Sequence, residues 1–166
     1  MRIFLIGFMG CGKSKKGRKL ASHLGFQFID MDEWIENTEG QGISEIFKLK
    51  GEDYFRKVEY AALQNILALD NCVIATGGGS PCHFDAIDVM NNHGTSIYLK
   101  ATPAFLRERL LQSKKKRPLI ESLTAEELLT YIENKLNERE PFYQKAKFTM
   151  DALGCRAQEL ALLLEA

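Results

Sequence analysis

The sequence predicts an α/β protein, a three-layer sandwich in which a five-stranded parallel sheet is flanked by helices. Short runs rich in Ile, Val, Phe, Tyr and Thr alternate along the chain with longer segments of helical pattern. This alternation is typical of parallel sheets, because each parallel connection needs a crossover that packs on a face of the sheet. The length of 166 residues corresponds to about one domain, and we predict a single domain over residues 1–166.

The strands are predicted from apolar runs, and the helices from the segments between them. β-branched and aromatic residues favour strands, which we place at residues 2–6, 26–30, 72–76, 95–100 and 147–151. Helices are predicted at residues 13–24, 32–39, 43–68, 83–92, 103–112, 125–140 and 156–164. Two helix starts carry capping signals: Thr102 before Pro103, and Thr124 three residues before Glu127.

Composition and charge exclude several classes of protein. Hydrophobic residues make up 45% of the chain, which excludes a disordered protein, and no apolar run approaches the ~20 residues of a membrane span. The 22 basic and 22 acidic residues balance, so we expect neither nucleic acid nor a membrane surface as a partner. The four cysteines form no C-x-x-C pair and the three histidines are scattered, which predicts no structural zinc site. We expect a cytoplasmic, reduced monomer.

The segment after the first predicted strand matches the phosphate-loop pattern GxxxxGK[ST]. Residues 7–14 read Gly-Phe-Met-Gly-Cys-Gly-Lys-Ser and lead directly into a predicted helix. Glycines such as Gly10 and Gly12 allow the backbone to aim N–H groups at phosphates, and the helix adds its positive N-terminal end. Lys13 is then expected to reach the β- and γ-phosphates, and the hydroxyl of Ser14 to bind Mg²⁺.

Two neighbours of these residues also belong to the predicted nucleotide site. The backbone N–H groups of Cys11 and Lys15 are placed to serve phosphates, although a lysine directly after the Ser14 hydroxyl is unusual. Because a helix N-terminus lowers the pKa of a thiol, we expect Cys11 to be alkylated faster than the other cysteines, and Mg-ADP to protect it.

Two carboxylates stand at the end of the second predicted strand. Asp30 and Asp32 are two residues apart, a spacing that places both on one face of a strand. One could hold the water shell of Mg²⁺ while the other takes the proton of an acceptor hydroxyl. The alternative for Asp32 is that it only caps the helix that follows.

Two further segments have both a functional and a structural interpretation. Arg56 and Glu59 are three residues apart on a predicted helix. They could form a surface ion pair, or Glu59 could orient the Arg56 guanidinium for an anionic substrate. The third strand runs into Thr76 and then into a triglycine segment, Gly77–Gly79. This segment could be a flexible turn or a place where a ligand approaches the backbone closely.

Taken together, these segments resemble the shikimate kinase family, within the P-loop nucleoside-monophosphate-kinase-like group. The resemblance covers nearly the whole chain. It consists of six motifs in the family order, namely the loop at 7–14, the D-x-D at 30–32, G-E-x-x-F-R-x-x-E at 51–59, T-G-G-G at 76–79, R-P-L at 117–119 and R-E-P-F-Y at 139–143. Each of the later motifs is weak alone, whereas six in order are specific.

The resemblance implies transfer of the γ-phosphoryl group of ATP to the 3-hydroxyl of shikimate, in aromatic amino acid biosynthesis, with Mg²⁺ as cofactor. It implies that Asp32 is the base or orienting group for the acceptor hydroxyls and that Asp30 acts near Mg²⁺ through water. Arg56 and Arg139 would hold the substrate carboxylate, which suits a planar guanidinium, with the triglycine segment contacting the substrate.

The resemblance also implies substrate-binding helices at about 32–62 and a mobile lid at about 112–124. Arg117 would close over the phosphates from that lid, and Arg109 would lie over the adenine. Residues 114–116 we interpret as a solvated part of the lid. The segment 152–157 lacks a proline that some members place near adenine, which leaves the nucleotide preference open. A gluconate-kinase-like enzyme and a non-catalytic nucleotide-binding module are the alternatives.

Overall fold

The computed structural model describes residues 1–115, 117 and 119–165 of the chain. Its five strands are β1 (Arg2–Ile6), β2 (Gln27–Asp30), β3 (Cys72–Ala75), β4 (Thr95–Lys100) and β5 (Phe148–Asp151). Its helices are α1 (Lys13–Leu24), α2 (Met31–Glu39), α3 (Ile43–Ile66), α4 (Ala86–His93), α5 (Pro103–Gln112), α6 (Ala125–Tyr143) and α7 (Ala157–Leu162), with a short 3-10 helix at Ser80–Cys82.

The strands form one parallel sheet in the order β2-β3-β1-β4-β5, which confirms the predicted fold class. In the register of the sheet, Phe4 of β1 lies opposite Ile74 of β3, and Leu5 lies opposite Ile97 of β4. All four of these side chains are fully buried, because helices cover both faces of the central strands. The carboxyl ends of β1, β2 and β3 therefore open side by side at one edge of the sheet.

Helices α2 and α3 share a small core of their own, beside the main one. Its members are the buried apolar residues Ile35, Ile46, Phe55 and Ala62. Helix α3 contains a sharp bend at Gly51, whose backbone angles of φ 82° and ψ 173° are not helical. The two helices therefore form a unit packed against the edge of the sheet where β2 and β3 end.

Several element boundaries differ from the predicted ones. Helix α6 was predicted to end at residue 140, but it continues through Pro141 to Tyr143. Tyr143 is fully buried, and its hydroxyl donates to the carbonyl of Gly78 at 2.5 Å. The lost backbone hydrogen bond at Pro141 is thus offset by tertiary contacts that local sequence rules do not include.

The remaining differences lie at the ends of elements. The helix predicted at 83–92 begins only at Ala86, because the chain first forms the 3-10 helix and then turns at Phe84, whose φ is 54°. Helices α3 and α7 and three of the strands are shorter than predicted by one or two residues at an end. Both capping signals are confirmed, at Thr102 and at Thr124 with Glu127. Within the described ranges, no helix combines the length and the apolar character needed to cross a membrane.

Candidate active site

The phosphate loop lies between β1 and α1, as predicted. Gly10 and Gly12 have φ angles of 86° and 96°, a left-handed region that favours glycine. The ammonium group of Lys13 donates to the carbonyl of Gly7 at 2.7 Å and to that of Phe8 at 3.0 Å. The third donor of the ammonium group meets only the weak acceptor Sγ of Cys11, at 3.8 Å, and can turn to an anion held by the loop.

Ser14 and Asp30 are joined directly across the crevice. The Ser14 hydroxyl donates to Oδ2 of Asp30 at 2.6 Å, while Oδ1 of Asp30 accepts from the backbone N–H groups of Asp32 at 3.0 Å and Glu33 at 3.5 Å. Asp30 is therefore the N-cap of α2. The prediction that Asp32 shares a strand face with Asp30 is wrong, and so is the alternative that Asp32 caps the helix, because Asp32 lies inside the first turn of α2.

Asp32 faces a cavity of about 550 Å³ that also contains the phosphate loop. Lys13, Ser14, Gly77 and Gly78 line the same cavity. Burial raises the pKa of the Asp32 carboxyl, and the charge of the neighbouring Asp30 raises it further, whereas nearby lysines act in the opposite direction. A carboxylate with a raised pKa beside a phosphate loop has the properties of a general base.

The three glycines after β3 are packed against charged side chains and do not form a loose turn. A Cβ on Gly77 would stand 2.5 Å from Oε2 of Glu59, and one on Gly79 would stand 2.6 Å from the Arg56 guanidinium. A Cβ on Gly78 would meet Nη1 of Arg139 at 3.2 Å. The glycines are thus needed for space, because any side chain here would displace the charged groups.

Arg56 and Glu59 form a buried pair, which excludes the surface ion pair considered from the sequence. Their exposed fractions are 9% and 3%, and Nη1 of Arg56 donates to Oε1 of Glu59 at 2.9 Å. Burial raises the pKa of Glu59 to about 7, even though Arg56 acts to lower it. Glu52 contacts the guanidinium from the solvent side at 3.3 Å. The guanidinium group of Arg56 is therefore held in one orientation.

Arg139 reaches the triglycine segment from α6, on the opposite side. Its guanidinium carbon lies 5.5 Å from the centre of the Phe8 ring, a distance suited to a cation–π contact. Among the residues that the structure describes, no carboxylate forms an ion pair with Arg139. This cation is therefore available to an anionic ligand that contacts Gly78.

The segment between α5 and α6 also contributes cations to the cavity. Arg117 is half-buried, and its guanidinium donates to the hydroxyl of Ser113 at 3.0 Å. Lys115 lines the same cavity, and both Lys114 and Lys115 are exposed, in agreement with the solvated segment predicted there. No sequence signal distinguishes Lys115 from its neighbours. Lys116 of that segment and Pro118 of the R-P-L motif lie outside the described residues.

A second cavity of about 780 Å³ adjoins the first. Gly12, Lys15 and Arg109 line both cavities, and Cys155 and Arg156 line the far side of the second. The structure thus brings Arg109 and the segment after Asp151 to one space next to the phosphate loop. A cleft built in this way can hold an elongated ligand with its phosphates at the loop.

Cys11 occupies the middle of the phosphate loop but is not accessible. Its side chain is 1% exposed and packs beside Gly7. A thiol must meet the reagent in order to be alkylated, so this burial contradicts the expectation of fast reaction at Cys11. The backbone position of Cys11 in the loop is unaffected by that correction.

Comparisons with known proteins agree with this geometry. A protein-family model described as shikimate kinase matches residues 9–163. The shikimate kinase of Parabacteroides distasonis is 42% identical over 151 residues, which cover 91% of this chain and 87% of that protein. The crystal structure of shikimate kinase from Bacteroides thetaiotaomicron has a TM-score of 0.96 and 37% identity, covering 100% of this chain and 99% of that one.

A third comparison includes a bound acceptor. The shikimate kinase from Acinetobacter baumannii, solved in complex with shikimate, has a TM-score of 0.85 and 32% identity over 99% of this chain and 90% of that one. The family model spans most of the present chain, and the relatives are matched over nearly their whole length. This chain therefore belongs to the shikimate kinase family.

Proposed function

We propose that this chain transfers the γ-phosphoryl group of ATP to the 3-hydroxyl of shikimate, giving shikimate 3-phosphate and ADP. Family membership makes it an ATP-dependent shikimate kinase. The assignment of the site depends on one observation, the closeness of three groups in space. A phosphate loop and two arginines, Arg56 and Arg139, meet at the triglycine segment, so a small acid bound there lies next to the nucleotide phosphates.

We assign the acceptor site to the space around the triglycine segment. Arg56 and Arg139 hold the carboxylate of shikimate from two sides, because planar guanidinium groups bind carboxylates well. Gly78 contacts the ring of the acceptor through its backbone, and Gly77 and Gly79 keep the approach open. In this assignment the unit at about 32–62 is the acceptor-binding part of the single domain, and the segment at about 112–124 is its lid.

Phosphoryl transfer then needs alignment more than covalent assistance. Asp32 accepts the proton of the 3-hydroxyl, the hydroxyl oxygen forms a bond to the γ-phosphorus, and the bond between that phosphorus and the β–γ bridging oxygen breaks. ADP leaves with the electron pair of the broken bond. Lys13 and Arg117 stabilise the negative charge that builds up on the phosphoryl oxygens.

The residues next to Lys13 fit a magnesium ion. Ser14 and Asp30 supply a hydroxyl and a carboxylate, the hard oxygen ligands that Mg²⁺ prefers, and they lie 2.6 Å apart in the same crevice. Within the described part of the chain no cluster of three or more metal-ligating side chains occurs. That agrees with Mg²⁺ in kinases, which is held by one or two protein groups plus phosphates and water. The ion would neutralise charge on the phosphates.

The second cavity is assigned to the nucleoside part of ATP. Arg109 would lie over the adenine, and the backbone N–H groups of Gly10, Cys11, Gly12 and Lys15 would serve the phosphates. We also propose that the enzyme works as a cytoplasmic monomer. The four cysteines, all described, are free thiols, which supports a reducing compartment.

A coupled assay of ADP release tests this function. Mg-ATP is supplied with shikimate, with gluconate or with no acceptor, and NMR of the product identifies the phosphorylated hydroxyl. We expect turnover with shikimate alone and phosphorylation at the 3-position. The methyl ester of shikimate is the matched control, since it lacks the carboxylate charge and should be a poor acceptor. Equal turnover with gluconate, or with the ester, would contradict the assignment of the two arginines.

A further inference from the structure

Among the described residues that line the cavity beside the phosphate loop, Lys115 is a charged residue without a role in the proposed reaction. It is exposed to solvent on one side and lines the cavity of about 550 Å³ together with Lys13, Asp32 and Arg117. Lys114 precedes it directly and does not line that cavity. Of these two neighbouring lysines, only the second lines the site.

A hydrogen-bonded turn positions the backbone of Lys115 beside the cavity. The hydroxyl of Ser113 accepts from the backbone N–H of Lys115 at 3.2 Å and from the guanidinium of Arg117 at 3.0 Å. The same guanidinium also donates to the carbonyl of Lys115 at 3.4 Å. Ser113 thus ties the two cations together, so that residues 113, 115 and 117 all face the cavity.

Several charged groups surround Asp32, and Lys115 is one of them. The positive charges of Lys115 and Lys13 both act on Asp32. The other charged groups that face Asp32 from neighbouring elements are Asp30 from β2, Glu36 from α2, Glu59 from α3, and Arg117 from the segment after α5. Three acidic and three basic groups therefore surround Asp32, and the loss of Lys115 would leave the acidic groups in the majority.

We propose that Lys115 is a second cation of the transfer site, held opposite Asp32 by the Ser113 turn, and that its ammonium group donates to the transferring phosphoryl group. The inference rests on the proposed function, because it needs a phosphoryl group to pass between the phosphate loop and Asp32. Arg117 and Lys115 then share the charge of the transition state from the same side, while Lys13 acts from the loop.

The test compares Lys115→Gln, Lys115→Arg and the matched control Lys114→Gln. The steady-state constants kcat and KM are measured at low and at high salt. For Lys115→Gln we expect kcat to fall about tenfold, less than the loss of a fully buried donor would cause, with KM for shikimate within about twofold.

The other variants and the salt series make the test specific. Lys115→Arg should retain most of kcat, Lys114→Gln should match the parent, and high salt should shrink the difference because Lys115 is exposed. Equal constants for Lys115→Gln and Lys114→Gln would overturn the inference, and so would a kcat of Lys115→Arg as low as that of Lys115→Gln. Failure of the proposed function looks different, because the parent itself would then show no shikimate-dependent turnover.

Discussion

At the scale of single residues, three charged groups of the crevice are each held by partners within the protein. Lys13 is held by carbonyls of the loop, and Asp30 by the Ser14 hydroxyl and two amides of α2. Arg56 is held by the buried Glu59. Such preorganisation matters for phosphoryl transfer, because the groups that meet the developing charge need not reorganise during the reaction.

Replacement of Lys13 tests the phosphate loop. In Lys13→Met we expect kcat to fall at least 100-fold, since the ammonium group that neutralises the phosphates is lost, while the thermal unfolding midpoint stays close to that of the parent. Lys48→Met is the control, because Lys48 is exposed on α3 and lines neither cavity. The coupled assay and circular dichroism measure the two quantities. Near-normal kcat in Lys13→Met would show that the loop does not bind the transferred phosphate.

Replacement of Arg139 tests the carboxylate site. Arg139→Ala should raise KM for shikimate about 10- to 100-fold and leave KM for ATP within about twofold, because a charge-assisted hydrogen bond to the acceptor is lost. The control is Lys135→Ala on the same helix, where the lysine forms only an exposed pair with Glu138. An unchanged KM for shikimate together with a raised KM for ATP would assign Arg139 to the nucleotide instead.

At the scale of elements, irregularities in two helices are what bring side chains to the crevice. Helix α3 bends at Gly51 and then presents Arg56 and Glu59 on its inner face. Helix α6 continues beyond Pro141, so that Tyr143 reaches Gly78. Straight helices without these irregularities would place Arg56, Glu59 and Tyr143 away from the crevice.

The bend in α3 makes a prediction about stability. Gly51 has φ 82° and ψ 173°, a region almost reserved for glycine, and no atom lies within 4 Å of the place where a Cβ would stand. Gly51→Ala should therefore lower the free energy of unfolding by about 1–3 kcal/mol through backbone strain alone. Urea denaturation measures this, with the exposed Asp53→Ala expected within about 0.5 kcal/mol of the parent. Equal stability of the two variants would mean that the chain straightens here at no cost.

At the scale of the whole molecule, the sheet order decides which segments meet. Strand β1 lies between β3 and β4, so the phosphate loop is flanked by the triglycine segment on one side and the start of α5 on the other. Helices α3 and α6 then close on the triglycine segment from different directions. Burial of the acidic groups of the crevice is a consequence of this packing, and it couples the site to global stability.

That coupling predicts how stability depends on pH. The pKa of Glu59 is 4.5 for an ordinary glutamate and about 7 in the folded protein. Between these values the folded state binds more protons than the unfolded state, so the free energy of unfolding falls as pH rises. Relative to Glu59→Gln, the parent should lose on the order of 3 kcal/mol between pH 4.5 and pH 7, and little more above pH 8.

Urea denaturation at pH 4.5, 5.5, 7 and 8 measures this difference. Asp32, whose pKa is also raised, is present in both proteins, so its contribution largely cancels in the comparison. If the stability curves of the parent and Glu59→Gln run parallel over this range, the buried pair titrates as one ionised unit and the raised pKa is wrong.

Much of the fold and part of the site could be predicted from the sequence. All five strands, the phosphate loop and the two threonine caps depend on neighbours in the chain, and they were predicted to within a few residues. The errors have tertiary causes. The helix predicted to end at residue 140 continues through Pro141 because of the buried contacts of Tyr143, and Asp32 was placed on a strand that ends at Asp30.

The sequence by itself determined the order of strands and helices, the chemistry of the phosphate loop and the family to which the chain is similar. Only the tertiary structure decided that Glu59 and Arg56 are buried against glycines and that Lys115, but not Lys114, lines the cavity. The physical reason is distance along the chain. Backbone conformation is set by adjacent residues, whereas the burial and pairing of a charge depend on elements that fold next to it from far away in sequence.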